Sequence, residues 1–207
     1  VKGRRQLRIF AVVTALAGLT LTAARGVAAP EPEILLRETV GEVLEAAYPA
    51  NPVAGRADFS ARALPILDRA FDFSAITRRA IGPGWRQFSD QERQRSIRDF
   101  RELVVRTYAS RIRGAERPRI TYGPPARQGE DRCEIPTQLI YDGGTYAVDY
   151  RMERRAGVWR VTDVVIEGVS FVSNYRAQFD GIMQRGGSSA VIQAMESRLA
   201  RNPEGPR

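Results

Sequence analysis

The pattern of apolar and polar positions changes character twice along this chain, from helical spacing to alternation and back again. Over residues 34–48 apolar side chains recur at Leu36, Val40, Val43, Leu44 and Ala47, which is the spacing of one helix face, and Pro49 ends the run. Residues 49–58 carry Pro, Gly and Asn and read as a loop. Residues 59–71 read as a helix bent or begun near Pro65, and Ser74 is a candidate N-cap for a short helix over residues 75–81, stopped by Gly82-Pro83-Gly84. Ser89-Asp90-Gln91-Glu92 has the spacing of a capping box and opens a helix expected to reach about Arg113. Ile97, Phe100, Leu103, Val104, Tyr108 and Ile112 lie on its apolar face, with arginines and acids opposite.

Residues 119–122, 133–141, 145–154 and 158–166 then read as strands, with Asp142-Gly143-Gly144 and Ala156-Gly157 as tight hairpin turns between the last three. In the third of them Tyr146, Val148, Tyr150 and Met152 face one way, while Ala147, Asp149 and Arg151 face the other. After Gly168 helical spacing returns: Phe171, Tyr175, Phe179 and Ile182 share a face up to Gly186-Gly187, and Ser188 or Ser189 caps a last helix to about Ala200. The order predicts an α+β fold, a curved antiparallel sheet of about four strands with helices before and after it. Two such layers can enclose an apolar cavity, and small ligands bind in cavities of that kind.

The N-terminus changes how the charge is read. Lys2, Arg4, Arg5 and Arg8 precede an uncharged, mostly apolar stretch over residues 9–22, and small residues follow, with Val27-Ala28-Ala29 or Gly26-Val27-Ala28 as cleavage sites. Residues 1–29 therefore read as a secretory signal peptide, cleaved on export, with an apolar run shorter than the about 20 residues that cross a bilayer. The rest divides into one domain over residues 30–201 and a loose tail over residues 202–207. Cleavage removes Lys2, Arg4, Arg5, Arg8 and Arg25 with no acid, so the formal charge falls from +8 to +3. A nucleic-acid binder keeps its basic excess in the folded part, so no nucleic-acid partner is expected.

The residue inventory narrows the chemistry further. The chain has no histidine, which excludes Ser-His-Asp and Cys-His nucleophile systems and the usual histidine-bound metal sites. Cys133 is the single cysteine, so no internal disulfide forms, and it reads as a small apolar strand residue. Lys2, the only lysine, leaves with the signal. No catalytic residue, metal or cofactor is expected, and the protein is read as a monomer that is not an enzyme.

Three stretches carry a resemblance. The first is Phe71-Asp72-Phe73-Ser74-Ala75-Ile76-Thr77 through Gly82, followed by Trp85-Arg86-Gln87, and the second is the helix segment from Phe100 to Tyr108. The third runs from Val158-Trp159-Arg160-Val161-Thr162-Asp163-Val164 into Glu167-Gly168-Val169-Ser170-Phe171 and Asn174-Tyr175-Arg176-Ala177-Gln178-Phe179. Together they resemble the toluene-tolerance/MlaC family, with Arg160 at a usual lysine and Thr162 at a usual tyrosine. The resemblance implies a periplasmic phospholipid-binding carrier with an apolar cavity for acyl chains. It also implies partners: an outer-membrane lipoprotein complex, and an inner-membrane ABC transporter complex with an MCE-domain protein, between which lipid moves to maintain outer-membrane asymmetry.

The lipid-binding residues expected on this basis are Phe100, Leu103, Val104, Tyr108, Val148, Tyr150, Trp159, Val161, Phe171 and Tyr175, which periodicity alone reads equally as solid core. Trp85 reads as an entrance residue or a staple of the loop before it, and Asp163 as a partner for Arg176 or a backbone turn. The alternatives are a hopanoid-associated carrier of the same family, a non-catalytic periplasmic adaptor, and an isomerase-like enzyme pairing Asp149 or Asp163 with Tyr146 or Tyr150.

Overall fold

The computed structural model describes residues 30–49, 59–112 and 116–201, without the side chains of residues 108–112. The leader over residues 1–29, most of the loop over residues 49–58 and the tail over residues 202–207 lie outside the described residues. Helices α1 (Pro32–Ala47), α2 (Phe59–Ala70), α3 (Phe73–Ile81) and α4 (Asp90–Ile112) come first, with a 3-10 turn over Gly82–Gln87 between the last two. Strands β1 (Arg119–Tyr122), β2 (Ala126–Arg127), β3 (Arg132–Tyr141), β4 (Gly144–Arg155), β5 (Val158–Ile166) and β6 (Val169–Ser170) follow, then α5 (Phe171–Arg201). The fold is α+β, as the element order predicts.

The four expected strands are present, and the sheet gains two more, β2 beside β3 and β6 beside β5, all paired antiparallel. Each addition has two residues, too few to show alternation. Asp142-Gly143, Ala156-Gly157 and Glu167-Gly168 all hold positive φ at both residues, so each is a two-residue reverse turn of the hand that matches strand twist. The third was not expected because β6 is so short. The β4–β5 register shifts between Arg151 and Met152, since Arg151 pairs with Asp163 and Met152 with Val161, leaving Thr162 as the extra residue of a bulge.

Two helix starts test the capping logic. At α4 the Ser89 backbone N–H donates to Glu92 Oε2 at 2.8 Å and the Glu92 N–H donates to Ser89 Oγ at 3.3 Å, the reciprocal pair of a capping box. The Ser188 hydroxyl donates to the other Glu92 oxygen at 2.8 Å, tying this end to the second half of α5. Hydrogen bonds from the Ser89 backbone, Ser188 and the Ser89 hydroxyl hold the Glu92 carboxyl below its usual range. Ser89→Ala is expected to cost about 1 kcal/mol in urea unfolding, and an unchanged midpoint would contradict the box. The N-cap of α3 is Asp72 rather than Ser74: its carboxylate accepts from the Ala75 N–H at 2.8 Å, so the helix starts two residues before the expected position.

Helix α3 ends at Gly82, with φ of +71°, where a Cβ would meet the Arg176 guanidinium within 2.9 Å. Arg176 Nε donates to the Arg79 carbonyl at 3.0 Å, so this arginine covers the end of α3 and is not the partner of Asp163. Helix α5 departs from helical φ/ψ at Gly186 and Gly187, which makes it two helices joined at a kink, as the glycine pair predicts.

Three apolar clusters hold the layers together. Helices α3, α4 and α5 meet around Phe100, Phe179, Ile81 and Met195. Cys133, Ile135, Met152, Trp159 and Val161 pack one end of the sheet against Leu36 of α1. Phe59, Ala63 and Val105 join α2 to α4, with Val43 of α1 alongside. The opposite sheet face carries charge pairs, with Arg151 Nε donating to Glu134 at 2.8 Å across β3 and β4.

Candidate lipid-binding hollow

The sheet face that is packed solid at the Cys133–Met152–Val161 end is open at the other. Thr137, Leu139 and Tyr141 of β3, Tyr146, Val148 and Tyr150 of β4, and Val164 and Ile166 of β5 line a hollow of about 610 Å³. Across from them stand Thr39, Val40, Val43 and Leu44 of α1, Ala63 and Leu67 of α2, and Val104 and Val105 of α4. Phe71, Phe73, Ile76 and Phe171 bound it where the helices converge.

Three of the polar side chains in this wall are engaged within the protein. The Thr39 hydroxyl donates to the Leu35 carbonyl at 2.7 Å and the Thr137 hydroxyl to the Val148 carbonyl at 2.6 Å. Asp163 Oδ1 accepts from the Val164 N–H at 2.9 Å and the Val172 N–H at 3.0 Å. Its Oδ2 accepts from the Ser170 hydroxyl at 2.6 Å and Arg151 Nη1 at 3.3 Å. Asp163 therefore anchors the start of α5 to the sheet, next to Phe171. Arg151, across the strand pair, is its charged partner.

The acid–base alternative loses its Asp149 pairs here. Asp149 stands on the far face of β4 from Tyr146 and Tyr150, outside the hollow's lining, and burial pushes its carboxyl up. Asp163 does line the hollow, but both of its oxygens hold donors. Burial pushes the Tyr150 phenol up to about 12, with Tyr122 adding to the rise. An unfolded chain ionises this phenol near about 10, so the folded state binds the extra proton between the two values and loses stability as pH rises through that window. Tyr150→Phe is expected to flatten the alkaline fall in denaturation midpoint between about pH 10 and 12; an unaltered fall would show that the phenol is not held neutral.

The expected lipid-binding residues separate into two groups. Val104, Val148, Tyr150 and Phe171 line the hollow. Phe100, Leu103 and Tyr175 sit in the helical core, and Trp159 and Val161 sit in the packed end of the sheet, all outside the lining. The Tyr108 side chain lies outside the described residues. Trp85 stacks on Phe88 with ring centroids 5.5 Å apart and packs against the helical core, so it staples the turn rather than standing at an entrance. The α1 share of the wall reads from sequence only as an apolar stripe through Val40, Val43 and Leu44, and a stripe does not tell a solid interface from a hollow one; the α2 share reads only as a helix.

Among the described residues, no helix is long and apolar enough to cross a membrane, and no cluster of His, Cys, Asp or Glu is placed to hold a metal ion.

Comparison with known proteins gives a consistent answer. The family model described as MlaC protein matches residues 38–197. The chain is 25% identical over 170 residues to the toluene tolerance protein ttg2D of Pseudomonas putida, covering 78% of this chain and 77% of that protein. It is 22% identical over 123 residues to the intermembrane phospholipid transport system binding protein MlaC of Haemophilus influenzae, covering 57% of this chain and 58% of that one. Among solved structures, the phospholipid-binding protein from Ralstonia solanacearum, in complex with a phospholipid, is similar with a TM-score of 0.74 at 25% identity. That likeness covers 84% of this chain and 99% of the other.

Proposed function

The chain belongs to the MlaC family, and from that premise we propose that it is a periplasmic phospholipid carrier, exported by its leader, which shelters acyl chains in the hollow between sheet and helices. The observation that carries the reading is the hollow itself: about 610 Å³ of space with an apolar wall whose Thr39, Thr137 and Asp163 polar atoms are satisfied from within. Water gains little from such a space, and an alkyl chain gains much. Each methylene moved out of water is worth about 0.8 kcal/mol, so a 16-carbon chain carries roughly 12 kcal/mol. That barrier faces a lipid crossing an aqueous gap unaided, and a dry wall removes most of it without a reactive group. The protein is therefore a carrier and not an enzyme.

The relatives support this cargo, since one is named for intermembrane phospholipid transport and another was solved in complex with a phospholipid. The carrier exchanges lipid with an outer-membrane lipoprotein complex and with an inner-membrane ABC transporter complex holding an MCE-domain protein. Val104, Val148, Tyr150 and Phe171 are its expected acyl contacts. The test is transfer of a fluorescent phospholipid from donor to acceptor vesicles kept apart by a protein-permeable membrane. Transfer that rises in proportion to protein concentration is the expected result; transfer at the buffer rate would contradict a carrier.

A further inference from the structure

On the charged face of the sheet the register of β3 and β4 sets arginine against acid. Arg132 stands opposite Glu153 and Glu134 opposite Arg151, so each arginine has an acid across the strand pair. Only the second pair forms, with Arg151 Nε on Glu134 at 2.8 Å. Glu153 is taken by others: its Oε1 accepts from Arg79 of α3 at 2.5 Å and its Oε2 from Arg155 at 2.8 Å. Burial works against the Glu153 charge, but these bonds outweigh it and hold the carboxyl below its usual range. Arg132 is left over. Among the described residues its side chain has no ion pair and no hydrogen bond.

These groups surround a pocket of about 250 Å³. Arg79, Arg132 and Arg151 line it from α3, β3 and β4, together with Gln128 and the bulge residue Thr162. The Gln128 N–H donates to the Arg132 carbonyl at 2.9 Å, which keeps the two residues together. The acids of the lining are Glu134, Glu153 and Asp163, and all are occupied. Asp163 accepts from Arg151 Nη1, the Ser170 hydroxyl and the Val164 and Val172 N–H groups. A guanidinium carries several N–H donors on a rigid fork. Arg79 uses one nitrogen on these acids, Arg151 uses two and Arg132 none, so the pocket holds more donors than acceptors.

We propose that this pocket is a second ligand site, separate from the hollow, which takes a phosphate-class oxyanion, free or carried on a small molecule. Guanidiniums that approach from α3, β3 and β4 suit a tetrahedral group with oxygens on several sides better than a flat carboxylate. Asp163 lines both spaces, so the site lies against the wall of the hollow without opening it. The inference does not depend on what the hollow carries.

The test is calorimetric titration of the exported protein with inorganic phosphate and with glycerol phosphate, at an ionic strength held constant with chloride. Saturable binding of at least one is expected, and the tighter of the two tells a free anion from one borne on a small molecule. Arg132→Gln is expected to weaken it about tenfold with an unchanged melting temperature, since this side chain is exposed and has no partner to lose. Arg119→Gln, at an exposed arginine of β1, is expected to leave the affinity unchanged. Absence of saturable binding overturns the proposal. Equal weakening by both substitutions also overturns it, because that marks diffuse surface charge. So does release of bound phospholipid by phosphate, which would place the anion in the hollow. Binding of a polyglutamate peptide with no binding of either phosphate would assign the surface to an acidic protein partner and overturn the small-anion site.

Discussion

Replacing Val148 with tryptophan is expected to cut the phospholipid affinity of the folded protein about a hundredfold, because the indole would stand where acyl carbon now fits. Val148 lies on the central strand β4 between Thr137 and Ile166, and all three line the hollow. The ring would project into empty space rather than into packed neighbours, so the usual strain of overpacking is small. Excluding about four methylenes at about 0.8 kcal/mol each removes about 3 kcal/mol of binding, which is the stated hundredfold. Lipid phosphate per mole of protein across a vesicle titration reads the affinity, and thermal unfolding reads the fold. A variant that unfolds at the parent temperature and still binds with parent affinity would show that lipid does not occupy this space.

Phe100→Ala is expected to do the opposite. Phe100 is fully buried and its ring makes edge contacts with Tyr175 at 4.8 Å and Phe179 at 5.5 Å, and a tilted one with Phe171 at 5.9 Å. Truncation leaves a cavity where α4 meets α5, at a cost of about 3–5 kcal/mol, which lowers the melting temperature by about 10 °C. Phe100 does not line the hollow, so lipid bound per folded molecule should match the parent at a temperature where both are folded. Loss of lipid without loss of stability would move Phe100 from the core to the binding wall.

The contrast between these two substitutions shows what a single chain reveals. The strands were legible because alternation is a local property: Tyr146, Val148 and Tyr150 fall on one face in any register that keeps the core buried. The capping box at Ser89 was legible for the same reason, since its partner Glu92 is three residues away. The start of α3 was not, because Asp72 and Ser74 are both competent caps. The backbone settles the choice: the Asp72 N–H bonds to the Val161 carbonyl at 2.9 Å and places the Asp72 carboxylate at the helix end.

The wall of the hollow was half legible. Phe100, Leu103 and Val104 are neighbours on one helix, yet only Val104 reaches the hollow, because α4 turns Phe100 and Leu103 toward α3 and α5. Trp159 and Val161 share a sheet face with Val164 and Ile166, but the first pair is buried in the cluster around Leu36 of α1 while the second lines the hollow. Whether a face is filled or empty depends on side chains of another layer, far away in sequence. Thr39, Val40 and Ala63 face the gap without filling it, and periodicity does not register an absence. The partner of Asp163 was missed for a related reason: Arg151 reaches it across the strand pair at a bulge, and Arg176 is spent on the end of α3.

The most direct test of the account is native mass spectrometry of the exported protein purified from a bacterial envelope, followed by extraction with organic solvent. A bound mass equal to that of a phospholipid, present before extraction and absent after it, is the result the carrier reading requires. A spectrum that shows only the bare chain, and still shows only the bare chain after incubation with phospholipid vesicles, would contradict it.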